Sequence, residues 1–320
     1  ILERFFSEYT KEEYLSLEED KFQKIVCAYL AEYAVKYFGE EQLESNSFTY
    51  RLKTILDNVM YLMKHIMEEL SQSEFFVADC ELKIGEDIPS YTIVLPDGHK
   101  IAVCGSVDRV DIMQRADITY LRIIDYKTGT KQFKLSDILY GINLQMLLYL
   151  HSIEASGGDK YGEIVPAGIL YMPATVPYIS SDSLKSIDKL PDELNKKLKM
   201  NGLLLKDTEI IHGMDKTDAA TYIPVKIKAG EPVSSTSLAT LAEFGKIFKK
   251  VDMLIAEMGK NIYNGNIEAK PLKGGHDSCE YCPYDSVCAY RQSNPITCFS
   301  VDNKTVIEEI TNEINGKEEE

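Results

Sequence analysis

The chain has 320 residues, of which 44% are hydrophobic and 27% charged, and this composition predicts a folded globular protein rather than a disordered one. The formal net charge of −16 argues against a protein that binds a nucleic-acid backbone over its whole surface. The acidic excess lies mostly in residues 1–75 and 301–320, so the nearly neutral middle could still carry a local basic groove. No run is long and apolar enough to predict a transmembrane helix.

Residues 1–75 form a predicted helical part, because apolar side chains recur every three or four positions in two long segments. Residues 76–180 form a predicted core of different character, with short segments rich in β-branched and aromatic residues that indicate mostly antiparallel strands. A helical pattern over 135–151, followed by a buried strand over 165–172, then predicts a crossover onto the same sheet. The expected fold class is mixed α/β.

Three further segments are predicted in the C-terminal half. Residues 181–234 are rich in Lys, Asp, Gly and Ser, which is typical of an irregular insertion. Residues 235–300 begin with a long amphipathic helix and continue into a cysteine-rich segment, and residues 301–320 form an acidic tail. We expect the insertion and the tail to contain little regular structure.

Two predicted strands carry acidic residues near their ends, in the runs Gly105–Asp111 and Ile123–Gly129. Side chains alternate along a strand, so Asp125 and Lys127 share one face, and pairing with the strand of Asp108 brings both carboxylates near the ammonium. Two carboxylates suit Mg²⁺, and a nearby lysine can orient a water or neutralise a phosphate. The pattern favours metal-assisted phosphodiester hydrolysis. The alternative is a solvated strand-end ion pair worth about 0–1 kcal/mol.

Other residues are candidates for the same site. Gln145 and Tyr149 are spaced i, i+4 in an otherwise apolar helical segment, so we expect a buried Gln that has hydrogen-bond partners. Glu81, on the first predicted strand, could add a carboxylate, although a lone acid there is as readily a surface residue. Lys131 and Lys134, just beyond the second motif, either follow a phosphate backbone or form a solvated face.

The three blocks Gly-x-x-Asp-Arg-x-Asp, Ile-Ile-Asp-Tyr-Lys-Thr-Gly and Gln-x-x-x-Tyr resemble the RecB-like branch of the PD-(D/E)xK nuclease superfamily. Residues 200–215 and the cysteine-rich segment are similar to the AddB-like subunits of bacterial ATP-dependent helicase/nucleases, and the resemblance covers about residues 1–300. It implies a restriction-endonuclease-like mixed sheet flanked by helices. It also implies a Mg²⁺-dependent exonuclease that acts on single-stranded DNA in double-strand break repair, with an AddA-type helicase/nuclease subunit as partner.

The resemblance also assigns a role to each candidate residue. Asp108 and Asp125 would bind the metal, and Lys127 would position or activate the attacking water. The residues with supporting roles would be Glu81, as an additional acidic residue, and Gln145 and Tyr149, in contact with the substrate or as support for the site.

The cysteine-rich segment contains the C-x2-C-x5-C triplet Cys279, Cys282 and Cys288. Its spacing suits zinc, with His276 or Cys298 as the fourth ligand, and equally an iron–sulfur cluster whose fourth cysteine lies elsewhere. By the resemblance, the triplet holds a 4Fe-4S cluster together with an upstream cysteine that we expect to lie outside this sequence. The remaining cysteines, which we expect to be plain core thiols, are Cys27, Cys80 and Cys104.

The sequence begins at Ile1 without an initiator methionine, so we expect a piece of a longer protein whose upstream His-bearing helix is missing and whose activity is reduced. Unevenly placed cysteines favour the cytoplasm. No P-loop motif is present, so any ATP-driven motor lies elsewhere. Two other functions stay open, a non-catalytic scaffold that binds DNA or a partner, and a zinc-binding interaction module.

Overall fold

The computed structural model describes residues 1–129, 131–176, 190–217, 219–234, 236–288, 290 and 295–318. In chain order the strands are β1 Phe76–Ile84, β2 Tyr91–Val94, β3 Lys100–Val103, β4 Gly105–Arg115, β5 Ile118–Lys127, β6 Glu163–Pro173, β7 Asn201–Leu205, β8 Lys226–Lys228, β9 Glu231–Val233, β10 Leu238–Ala239, β11 Leu272–Gly274 and β12 Ile296–Cys298. The helices are α1 Leu2–Glu8, α2 Lys11–Leu15, α3 Glu19–Phe38, α4 Glu40–Leu43, α5 Asn46–Ser71, α6 Gln145–Ser156, α7 Gly158–Tyr161, α8 Leu190–Leu198, α9 Thr208–Met214, α10 Leu241–Tyr263, α11 Asp285–Cys288 and α12 Asn303–Glu318.

A six-stranded mixed sheet with the order β1-β4-β5-β6-β7-β10 forms the centre of the fold. β1, β4 and β5 are antiparallel neighbours, whereas β5 and β6 run parallel because α6 and α7 carry the chain back between them. β7 returns antiparallel to β6, and β10 pairs parallel with β7. The predicted α/β class, with a meander followed by a crossover, is confirmed.

The N-terminal helices bury aromatic side chains beside the sheet. Phe5, Tyr14 and Phe22 are almost completely buried, and the rings of Phe5 and Phe22 meet edge to face at 5.6 Å. α5 adds an apolar stripe of buried residues at helical spacing, which includes Met63 and Ile66. α1 packs against β1, so this helical layer adjoins the edge of the sheet that carries β1 and β4.

The helix predicted over 135–151 is divided into two. Residues 135–140 form a 3-10 helix that ends at Gly141, whose left-handed backbone (φ +68°) stops the helix. α6 then starts afresh at Gln145 and packs against β5 and β6. The continuous apolar pattern concealed this break because both helices bury side chains in one core.

Residues 181–234, for which the sequence predicted an irregular insertion, contain regular structure wherever the structure describes them. β7 lies in the central sheet, and its Leu203 and Leu204 are fully buried. Its five residues are too few for periodicity to distinguish a strand from a loop. Residues 177–189 and 218, which belong to the same prediction, lie outside the described residues.

The segment predicted as an acidic tail, 301–320, contains the helix α12. Val306 and Ile310, one helical turn apart, are fully buried where α12 packs against α10. Lys250 of α10 also forms a largely buried ion pair with Glu313 of α12. The excess of acidic residues concealed an apolar face that covers the core.

No helix in the described part of the chain is both long enough and apolar enough to cross a membrane.

Candidate active site

Three neighbouring strands bring the predicted acidic residues to one region. In β1, Cys80 and Leu82 pair with Arg109 and Val107 of β4, so Glu81 lies beside the position of Asp108. β4 in turn pairs with β5 up to Arg109 and Ile124, the residues that follow Asp108 and precede Asp125. The antiparallel register therefore places the two aspartates on adjacent strands.

Asp108 is tied directly to the strand that carries the lysine motif. Its Oδ2 accepts a hydrogen bond of 2.9 Å from the backbone N–H of Tyr126. Burial raises the pKa of the Asp108 carboxyl; the Tyr126 N–H lowers it, while the charges of Asp125 and Glu81 raise it further. A nearby cation would offset this cost of ionisation.

Asp125 and Lys127 form an ion pair on one face of β5. The side chain of Asp125 is only 9% exposed and that of Lys127 27% exposed, so the pair is not the solvated strand-end pair of the alternative interpretation. The Lys127 ammonium also lies 5.7 Å from the ring centroid of Tyr171 on β6. The lysine is thus held between a carboxylate and an aromatic face.

Glu81 is exposed and has a left-handed backbone (φ +53°) that is uncommon for a residue with a side chain. The Ser106 hydroxyl donates a hydrogen bond of 3.0 Å to its Oε2 atom. Glu81 and Asp108 also line a cleft of about 400 Å³, whose other walls include apolar side chains of the N-terminal helices. Glu81 therefore faces solvent next to Asp108.

The prediction of a buried Gln145 is wrong, because this residue is exposed at the first position of α6. The break at Gly141 starts the helix there and leaves the first side chain outside the core. Tyr149, one turn later, is half-buried, and its ring lies against Gly105, where an added Cβ would overlap the ring. The glycine of the first motif is needed for this close approach of helix and strand.

A buried charge network behind the two aspartates was not found by sequence reasoning. Arg109, Asp111, Arg122 and Glu69 are all completely buried. Asp111 accepts hydrogen bonds of 2.6 Å from both Nε and Nη2 of Arg109, and one of 3.0 Å from Nε of Arg122. The only signal in the sequence was charged residues inside apolar strands.

Glu69 of α5 completes this network from the helical part. It accepts hydrogen bonds from Arg109 at 3.1 Å and from Arg122 at 2.5 Å. Burial opposes the charge of Asp111, but the two arginines outweigh burial and hold the pKa of this carboxyl below its usual range. Two positive and two negative charges therefore balance in the interior and join α5 to β4 and β5.

The chemistry of Asp108 and Asp125 fits a Mg²⁺ ion. The Oδ2 atom of Asp125 is buried and has no hydrogen bond, and its contact with Lys127 lacks hydrogen-bond geometry. Mg²⁺ keeps several waters and is commonly bound through only one or two carboxylates. No group of three or more His, Cys, Asp or Glu side chains that could hold a metal occurs among the residues that the structure describes.

The cysteine triplet does not form a metal site by itself. Cys279 and Cys282 are half-buried, Cys288 is exposed, and these thiols do not gather into a metal-binding group within the described ranges. The side chains present therefore do not fit an iron–sulfur cluster. Cys104, predicted as a core thiol, is exposed because it lies between β3 and β4; Cys27 and Cys80 are half-buried.

Comparison with known proteins gives consistent matches. A family model described as the PD-(D/E)XK nuclease superfamily matches residues 1–289. A subunit of the ATP-dependent helicase/deoxyribonuclease of Thermoanaerobacter sp. (strain X514) is 38% identical over 246 residues, which are 75% of this chain and 21% of that protein. The subunits of the same name from Alkaliphilus oremlandii and Alkaliphilus metalliredigens are 35% and 33% identical, over 82% and 91% of this chain and 24% and 26% of theirs. The chain thus spans about a quarter of the length of these curated relatives.

Proposed function

Because the chain belongs to the PD-(D/E)XK nuclease superfamily, we propose that it is the nuclease module of a bacterial helicase/nuclease complex for double-strand break repair. The proposed activity is Mg²⁺-dependent hydrolysis of phosphodiesters in single-stranded DNA, starting from an end. The names of the similar proteins support a deoxyribonuclease coupled to a helicase.

One observation carries this proposal, the arrangement of Asp108, Asp125 and Lys127 on adjacent strands. Asp125 is nearly buried yet leaves one oxygen without a hydrogen bond, and Lys127 contacts that carboxylate. A buried, incompletely satisfied carboxylate costs stability, so its presence is more readily explained by a ligand than by folding.

In the proposed reaction, Asp108 and Asp125 hold the metal ion, which would activate a water and neutralise phosphate charge. Lys127 orients the attacking water and offers a positive charge to the scissile phosphate. Glu81 adds a carboxylate on the solvent side, Tyr149 supports the start of β4, and the exposed Gln145 contacts the substrate strand.

The remaining proposals concern the longer protein. An AddA-type helicase/nuclease subunit would supply the single strand, and the complex would act in the cytoplasm. We also propose that Cys279, Cys282 and Cys288 bind a 4Fe-4S cluster with a fourth cysteine from the rest of that protein. The spacing of the triplet supports this, and iron and sulfide analysis of the full-length subunit, purified without oxygen, tests it. Zinc without iron would favour the interaction module instead.

The nuclease proposal is tested by cleavage of end-labelled single-stranded DNA with Mg²⁺ or EDTA. The chain and an upstream-extended version are each assayed with the substitution Lys127→Ala, and we expect Mg²⁺-dependent cutting by the extended form that this substitution abolishes. The matched control is Lys83→Ala, since Lys83 of β1 forms an exposed ion pair with Glu86 and should be dispensable.

Retained cleavage by a folded Lys127→Ala protein would reject the assigned site. DNA binding without cleavage in both forms would instead favour the non-catalytic scaffold.

A further inference from the structure

A second cleft begins where the candidate catalytic strand ends. It is lined by Thr128, which directly follows Lys127, and by Pro173, which pairs with Lys127 across β5 and β6. Its volume is about 520 Å³, and it opens to solvent. A strand bound at Lys127 would therefore meet this cleft at an adjoining nucleotide.

The lining of this cleft is strongly positive. Four lysines line it, Lys131 from the loop after β5, Lys196 and Lys197 from the end of α8, and Lys199 just beyond. No acidic side chain is among the described residues that line it, although the whole chain has 51 acidic and 35 basic residues. We call this feature the lysine cleft; the hydroxyls of Thr128 and Thr175 also line it.

The wall of the lysine cleft nearest the site is held in place by the sheet. Asn201, the first residue of β7, accepts a hydrogen bond of 2.7 Å from the Phe133 N–H and donates one of 3.1 Å to the Lys131 carbonyl. The Lys131 ammonium lies 5.2 Å from the ring centroid of Tyr171, the ring that Lys127 also approaches. Lys127 and Lys131 are thus positioned on one aromatic side chain.

The opposite wall differs, because Lys196 is exposed at the end of a helix. Lys199 is partly buried and donates its hydrogen bonds to the carbonyls of Ala220 and Val225, so it contributes charge rather than a free donor. Lys131 and Lys196 are therefore the two residues, one on each wall, whose removal should change ligand binding and leave the fold intact.

We propose that the lysine cleft binds the backbone phosphates of the single strand next to the phosphodiester that is cut. This inference rests on the proposed function and adds a binding site that fixes the strand relative to Asp125 and Lys127. Phosphate oxygens match ammonium and hydroxyl donors, and contacts of this kind position a nucleic acid without reading its sequence.

The test measures the affinity for a short fluorescent oligothymidylate as a function of salt, with EDTA present to prevent cleavage. Each phosphate contact adds about 0.7 to the slope of log affinity against log salt for single strands. Lys131→Gln with Lys196→Gln should reduce that slope by about 1.4, so affinity should fall about sevenfold less than in wild type between about 50 and 200 mM salt. The control is Lys21→Gln with Lys24→Gln, on the exposed surface of α3, which should keep the wild-type slope.

A second probe separates phosphate contacts from contacts to bases. With an oligothymidylate whose phosphates are replaced by uncharged methylphosphonates, the wild-type and cleft-variant proteins should bind equally. Equal salt slopes for wild type and cleft variant, in a protein that cleaves DNA with Mg²⁺, would overturn the lysine cleft alone. Failure of the wild type to cleave would overturn the proposed function, whatever the slopes.

Discussion

Glu69→Gln should destabilise the protein severely, although Glu69 lies outside the candidate active site. The substitution preserves the size of the side chain and removes one negative charge. In the native protein Glu69 and Asp111 balance Arg109 and Arg122, and all four are completely buried. Glutamine leaves the network with one excess positive charge, and its amide nitrogen cannot accept a hydrogen bond from either arginine.

The expected loss is about 3–5 kcal/mol of unfolding free energy, the typical cost of leaving a buried charge without its partner. Domains are commonly stable by about 5–15 kcal/mol, so the variant should fold but unfold at a much lower urea concentration. With a slope of about 3 kcal/mol per molar urea, the midpoint should fall by about 1 M or more.

The matched control is Glu74→Gln. Glu74 also pairs with two cations, Arg115 and Lys216, but its side chain is 31% exposed and its partners are about half exposed. Such a pair contributes at most about 1 kcal/mol, so the control midpoint should move little.

Both variants are measured by urea unfolding followed by circular dichroism. Equal midpoint shifts in the two variants, or a Glu69→Gln loss below about 1 kcal/mol, would refute the reasoning that the buried network depends on charge balance.

Three further results are expected. Burial opposes the charge of His151, but the carboxylates of Asp252 and Glu154 outweigh it and raise its pKa to about 9. Its contribution of up to about 3 kcal/mol should be complete below about pH 6.5 and be lost as the pH rises to about 9, so the unfolding free-energy difference between wild type and His151→Phe should shrink over that range. Gly105→Ala should cost about 1–3 kcal/mol by overlap with Tyr149, and a double-mutant cycle in urea should show the cost relieved in a Tyr149→Ala background. Thr240→Ala, which removes the capping box at the start of α10, should cost about 1 kcal/mol in thermal unfolding, and an unchanged melting temperature would contradict the capping role.

The sequence predicted the catalytic strands well because their signals are local. Alternation along β5 places Asp125 and Lys127 on one face, and the antiparallel register of β4 then brings Asp108 beside them. The buried network was missed because Glu69 and Arg109 are 40 residues apart and no local pattern links them. Gln145 was misjudged because its burial depends on where α6 begins, which one glycine decides.

β7 and α12 show a related difficulty. Each is short or charged, and each is stabilised mainly by contacts with distant parts of the chain. Leu203 and Ile310 are fully buried only because β6 and α10 lie beside them. Composition averaged over a segment therefore predicts a loop or a tail, whereas tertiary packing determines a strand or a helix.

The position of β5 in the sheet has a consequence for motion. β5 is hydrogen-bonded on both sides, to β4 and to β6, whereas β1 is an edge strand and Glu81 on it is exposed. Backbone amides of β5 should exchange with solvent only when the whole domain opens, and those around Glu81 should exchange through local fluctuations. Asp125 and Lys127 thus lie on the part of the protein that opens least, while Glu81 can adjust as a ligand enters.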